Sequence, residues 1–195
     1  MRTPPLADLD TLRLETPRLI LRPPRLADFD AWASFQQDEV TTKFIGGPQP
    51  RSTAWRAFMT MCGCWHMTGI GMFSVIEKSS GQWVGRLGPW SPEGWPEPEI
   101  GWGIARAHCG KGYASEGAAA AMEYASDVLG WESLVHCIDE ANLASQGVAR
   151  KLGAACLRRV QLPAPYEGAL VDAWGQSRDQ WKRSEARRRL LGNGA

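Results

Sequence analysis

The sequence predicts an α/β fold of the mixed α+β type, a mostly antiparallel sheet of about seven strands flanked by about four helices. Three observations carry this. Three strand-like runs follow one another between residues 71 and 105, so at least part of the sheet is antiparallel. An alanine-rich run with helical period follows directly, "YASEGAAAAMEYASDVLG". The remaining elements then alternate as strand, helix and two strands, which is not the regular alternation of a doubly wound sheet.

Taken in order, "TPRLILRPP" alternates apolar and polar residues between prolines and reads as a first strand. "RLADFDAWASFQQ" sets Leu26, Phe29, Trp32 and Ala33, Phe35 or Gln36 at helical spacing. "DEVTTKFIGGPQP" is rich in turn residues. "STAWRAFMTMCGCWHM" is a second helix, with Ser52 or Thr53 as its N-cap. "GMFSVIEK" and "QWVGRLGPW", joined by "SSG", form a hairpin. A proline-rich loop leads to "EIGWGIA", whose two glycines permit a bulge or a close backbone approach. In the alanine-rich helix Ala118, Ala121, Met122, Ala125, Val128 and Leu129 share one face, and Gly130 is placed to end it. "SLVHCID" is a buried strand, "LASQGVARKLG" a helix ended by Gly153, "AACLRRVQL" a strand and "ALVDAWGQSRDQW" the last strand. Residues 182–195 read as a polar, partly helical tail on a core spanning about residues 12–181, and 1–195 as a single domain without repeats or linkers.

Composition bounds the function. The formal net charge is +1, which argues against a general nucleic-acid or membrane-surface binder. No apolar run approaches the ~18 residues of a membrane span, and "MRTPPLADLD" does not read as a signal peptide. Five irregularly spaced cysteines fit a reducing compartment, so a cytoplasmic location is expected. Cys62, Cys64 and His66 sit too close together for a usual zinc site and have no second ligand pair downstream, so no metal is expected.

The most informative stretch is "CGKGYA", between the "EIGWGIA" strand and the alanine-rich helix. A helix N-terminus leaves about four backbone N–H groups unpaired and carries about half a positive charge, which suits a phosphate. Gly110 and Gly112 remove side chains there, and Lys111 adds a mobile charge. The spacing is not that of a P-loop, and Ser115 stands at the third glycine place of a dinucleotide fingerprint.

"CGKGYA" resembles the pyrophosphate loop of the GNAT superfamily of N-acetyltransferases, [Q/R]-x-x-G-x-[G/A], through Cys109, Gly112 and Ala114; Cys109 departs from the usual Gln or Arg. "DEANLASQGVARKLGA" is similar to the N-x-x-S…K-L-G segment of the RimJ/RimL branch, the ribosomal-protein N-terminal acetyltransferases, through Asn142, Ser145, Lys151, Leu152 and Gly153. "TPRLILRP" and "GRLGPWSPEGWPEPEIGWGI" also look like that branch, so the resemblance runs from about Thr16 to about Trp181.

The resemblance implies a sheet splayed between the fourth and fifth predicted strands, Glu99–Ala105 and Leu134–Asp139, with acetyl-CoA as cosubstrate in the wedge. Cofactor contacts then fall to Trp102, Gly103 and Ile104, to Cys109, Gly110, Lys111, Gly112, Tyr113 and Ala114, and to Asn142 and Ser145. A main-chain N–H near Ile104 is the implied oxyanion donor. The expected chemistry is direct attack of a primary amine, a peptide α-amine or a small-molecule amine, on the thioester. Glu99 is either the base or a solvated strand-end carboxylate beside Glu93 and Glu97. Ser145 is the candidate partner of the leaving sulfur, because the tyrosine that many relatives carry four residues later is Ala149 here. His136 and Cys137 would point to opposite faces of their strand, so no acyl-enzyme is expected. A non-catalytic acyl-CoA-binding module and, further off, a nucleotide-binding oxidoreductase are the alternatives. Dimers are frequent among resembling proteins, so a homodimer is the implied assembly. Trp90, Trp95 and Trp102 either wall an acceptor pocket or fill the core.

Overall fold

The computed structural model describes residues 8–166 and 168–192. Eight strands form one sheet: β1 (Leu14–Glu15), β2 (Leu19–Arg22), β3 (Phe73–Glu77), β4 (Trp83–Trp90), β5 (Glu99–Ile104), β6 (Ser133–Ile138), β7 (Ala155–Gln161) and β8 (Leu170–Ser177). Their order is β1-β2-β3-β4-β5-β6-β8-β7, and every pair is antiparallel except β5–β6. The count exceeds the expected seven because Leu14 and Glu15 pair with Leu21 and Ile20 in a strand too short to carry a periodic signal.

Seven α-helices lie among the described residues: α1 (Phe29–Gln37), α2 (Glu39–Thr42), α3 (Arg51–Thr68), α4 (Tyr113–Asp127), α5 (Leu143–Lys151), α6 (Arg178–Arg183) and α7 (Glu185–Leu191). The four longest are the four expected. Helix α3 starts at Arg51 with Pro50 as N-cap, two residues before Ser52, the first of the expected caps. The turn-rich stretch after α1 contains the four-residue α2, capped by the Asp38 side chain.

The sheet separates two cores. Leu19, Leu21, Phe73, Val75, Leu87, Ile100 and Leu134 face α4, whose Ala118, Ala119, Ala121 and Ala125 are wholly buried. Alanine suits this helix because it lies close to the sheet: a Cβ on Gly117 would come within 2.6 Å of Leu87. The other face is covered by α1 and α3 through Phe29, Trp32, Ala54, Phe58 and Met61.

The C-terminal segment is the main correction. The last strand ends at Ser177, where Ser177 and Gln180 cap one another and open α6. "SRDQ" is thus a capping box inside what reads as a strand. The tail is docked rather than solvated: Trp181 is fully buried in the α4 core, and Ala186 joins it. Glu123 of α4 accepts hydrogen bonds from the Trp181 indole (2.6 Å), Lys182 (3.0 Å) and Arg187 (2.8 Å). Those cations hold its carboxyl below the usual carboxylate range against the opposing effect of burial, the largest single influence. Residues 193–195 of the tail, and residues 1–7, which include most of the stretch read as lacking a signal peptide, lie outside the described residues.

Candidate active site

The wedge between β5 and β6 is open because backbone pairing between them is limited to Glu99 opposite Val135. The strands separate beyond that point. On the other side of β5, Ala105 N–H donates to Val84 at 2.9 Å, which fixes the alternation along the β4–β5 ladder. Gly101 and Gly103 therefore turn their backbone groups toward β4, while Trp102 and Ile104 turn theirs toward β6, which offers them no pairing. The result is a row of backbone donors and acceptors in mid-sheet without strand partners, an arrangement that costs free energy unless something else pairs them.

Two side chains bridge the strands where they part. Glu99 accepts from Cys137 N–H at 2.6 Å, and His136 Nδ1 donates to the Ile100 carbonyl at 2.8 Å. Burial lowers the His136 pKa to about 4, so the ring is neutral at physiological pH. Its Nε2 is enclosed without a partner. The opposed faces expected for this pair hold: the His136 ring lies 4.8 Å from the Trp102 ring, whereas the Cys137 thiol is beside Glu99, and burial and that carboxylate raise its pKa far above the usual thiol value.

Glu99 is 6 % exposed, so the solvated-carboxylate reading fails. The acidic loop does not keep it wet, because Glu97 pairs with Arg158 and Trp95 packs edge-on against Tyr166 over the same region. Burial raises the Glu99 pKa to about 7, partly opposed by the Cys137 N–H bond and, more weakly, by the Arg86 charge. A buried carboxyl poised near neutrality beside a split in the sheet is suited to general acid–base work.

Ser145 lies across the wedge. Its backbone N–H is capped by Asn142 Oδ1 at 3.1 Å, and its hydroxyl accepts from the Trp102 indole at 3.2 Å. With that lone pair engaged, the hydroxyl proton is free to be donated. Asn142 is the N-cap of α5. Trp102 is thus set apart from the other two tryptophans: its side chain reaches into the wedge toward α5, while Trp90 packs with the α1–α3 core on the opposite face of the sheet.

At the mouth of the wedge, Gly110 and Gly112 have φ of +78° and +83°, values that L side chains rarely adopt. Gly112 caps α4 without a side-chain hydrogen bond. Among the described residues no protein acceptor meets the N–H groups of residues 110–115. Space beside Gly110 is open. Cys109 is exposed, with its thiol near the carbonyls of Ile104 (3.5 Å) and Ala105 (3.7 Å), and Lys111 Nζ lies 3.4 Å from His108.

The supports of this loop were not visible in the sequence. Arg18 donates to the Lys111 carbonyl at 2.9 Å and pairs with Glu116 at 2.6 Å, and Glu116 also accepts from Thr16 at 2.6 Å. The first-turn carboxylate of α4 is thereby neutralised, and an Arg18 nitrogen stands 3.3 Å from where a Gly112 Cβ would be. The only signal was "TPR" within a segment that resembled a family for other reasons.

A splayed parallel pair, a bare glycine turn at a helix N-terminus and a bonded serine across the gap occur together in one recognised domain. Residues 18–155 match the acetyltransferase (GNAT) domain family, in its RimJ/RimL-like branch. The chain belongs to the GNAT acetyltransferases. An acetyltransferase from Agrobacterium tumefaciens strain C58 is 28% identical, with a TM-score of 0.75 over 85% of this chain and 94% of that one. RimJ from Mycobacterium smegmatis, solved in complex with CoA-disulfide, shares the fold at 16% identity, with a TM-score of 0.68 over 90% of this chain and 89% of its own. YkkB of Bacillus subtilis strain 168 is 34% identical over 87 residues, 44% of this chain and 51% of that protein, so the chain spans about half the length of this curated relative. GNAT enzymes use acetyl-CoA, and the residues at the wedge fit it: unpaired amides at the 110–115 turn suit a pyrophosphate, and the Trp102 and Ile104 backbone groups, which lack strand partners, suit an amide-bearing arm.

Proposed function

We propose that this chain is an acetyl-CoA-dependent N-acetyltransferase that acetylates a primary amine by direct attack, with Glu99 as the base and Ser145 as the donor to the leaving sulfur. Bound acetyl-CoA supplies the thioester. The observation that carries the reading is the buried Glu99 carboxyl, with a pKa of about 7, at the point where β5 and β6 part. The CoA-disulfide bound by the RimJ relative supports the same cosubstrate here.

The magnitudes favour an α-amine. Its pKa is ~8 against ~10.4 for lysine. Passing a proton to a carboxylate of pKa about 7 is uphill by ~1 unit, or ~1.4 kcal/mol, from the α-amine and by ~3.5 units, or ~5 kcal/mol, from lysine. An ordinary carboxylate would add roughly 3 kcal/mol to each. The acceptor is thus an amine of low basicity, at a peptide terminus or on a small molecule. The Ile104 N–H, turned toward the wedge, serves as the oxyanion donor, worth ~3 kcal/mol in other acyl transfers.

Thiol release from acetyl-CoA over a panel of peptides and small amines tests the function. Binding without release on any amine would make the chain an acyl-CoA-binding module. Ser145→Ala is expected to slow turnover about tenfold while changing CoA affinity by less than about threefold, since one neutral hydrogen bond is worth ~1 kcal/mol. Calorimetry showing weakened CoA binding at unchanged turnover would reassign Ser145 to binding.

A further inference from the structure

Arg86, in the middle of β4 and opposite Gly103, is a charged side chain that the acetyl-transfer chemistry does not use. Its guanidinium lies over Trp32 (5.4 Å) and Phe35 (5.9 Å) on the α1–α3 face. Its one hydrogen bond donates to the Met72 sulfur at 2.7 Å, and its Nε is enclosed without an acceptor. Among the described residues no carboxylate reaches ion-pair distance of it. A guanidinium carries five donors and cannot shed its charge, and a thioether is a weak acceptor. An arginine so placed is costly unless an anion completes it.

Glu99 is not that anion. Among the described residues no hydrogen bond or ion pair joins it to Arg86: the guanidinium bonds to Met72, and the carboxylate to Cys137 N–H. The two groups therefore face one site with opposite charges and do not touch. Between them, Gly101 and Gly103 bare the β5 backbone, and what covers it is Met72, whose methyl would be 2.6 Å from a Gly101 Cβ, and Phe35 at 2.8 Å from a Gly103 Cβ. Met72 is adaptable and stands where a stronger acceptor would bind Arg86. A cationic acceptor is disfavoured, because Arg86 already covers the Trp32 and Phe35 faces.

We propose that Arg86 binds a carboxylate of the acceptor, so that the preferred substrate is a primary amine bearing a carboxylate a few bonds away, with the amine directed to Glu99. This rests on the acetyl-transfer reading and adds the substrate class. The carboxylate comes either from a free amino acid or from an acidic residue at a peptide N-terminus.

The test is kcat/KM by thiol release for matched pairs: free amino acids against their amides, and peptides beginning with Asp or Glu against Asn or Gln. These are compared in the wild type, Arg86→Lys and Arg86→Met, with thermal unfolding to verify that each variant folds. The wild type is expected to favour the carboxylate member of at least one set by about 10- to 100-fold, as for loss of one partner of an enclosed charge pair. The set that responds names the source. Arg86→Met should bring that ratio near one through KM, and Arg86→Lys should keep part of it. No carboxylate preference in the wild type, or an equal loss on both members in Arg86→Met, overturns the assignment. Acetylation of amidated amines alone removes this inference and leaves the transferase; thiol release on no amine removes both.

Discussion

Replacing Glu99 with glutamine is expected to lower kcat by about 100-fold, the lower range for loss of a positioned proton acceptor, and to abolish an inflection near pH 7. The wild-type rate should rise with pH through about 7, because the carboxylate form accepts the proton. In the variant only the titration of the amine should remain, visible in kcat/KM near its own pKa of ~8. Stability gives an independent reading. The folded carboxyl holds its proton up to about pH 7, whereas the unfolded one releases it near 4.5. The folded state therefore binds more protons between these values, and wild-type stability declines as pH rises through that window, by up to about 3 kcal/mol. Glu99→Gln should lack this decline and be the more stable form at pH 8, with the gap closing below about pH 5. A pH–rate profile unaltered by the substitution would remove Glu99 as the base. Equal pH dependence of unfolding would show that the carboxyl is not buried as described.

Replacing Gly112 with valine is expected to weaken CoA binding by 100-fold or more with little effect on any chemistry that still occurs. A β-branched residue at φ +83° is strained by one to a few kcal/mol. Its Cβ would also press on Arg18 at 3.3 Å, disturbing the bond that holds the Lys111 carbonyl. Gly112→Ala carries the same φ penalty and the same Cβ contact, so any further loss in Gly112→Val reads the added branch alone. Isothermal titration with CoA reads both variants; affinity unchanged in Gly112→Val would mean that the diphosphate is gripped elsewhere.

Much of the fold is legible in the sequence where a signal is local. The alanine-rich helix, the "SSG" hairpin and the glycine turn depend on neighbours a few residues away, and each falls where its pattern places it. What escapes the sequence depends on distant partners. Residues 178–191 become helical and docked because Glu123 gathers the Trp181, Lys182 and Arg187 side chains, and nothing in "KRSEARRR" alone tells a docked helix from a solvated one. The exposure of Glu99 is ambiguous for the same reason: three acids in a proline-rich loop look wet until Arg158, far along the chain, claims Glu97. Arg86 and His136 carry no motif, and their interest comes from what the fold withholds from them. Trp90 and Trp102 do not wall one pocket together, since strand geometry sends Trp102 to the face opposite Trp90.

The wedge is held apart by Glu99 and His136 bonding to the facing backbones, not by a lid that must swing away. The slot is therefore preformed, and the work of separating two strands is done during folding and not at each turnover. In deuterium exchange this gives an unusual mid-sheet signature. The Trp102 and Ile104 amides should exchange like those of a fraying edge while their neighbours Gly101 and Gly103, bonded to β4, remain slow. Saturation with CoA should erase that alternation.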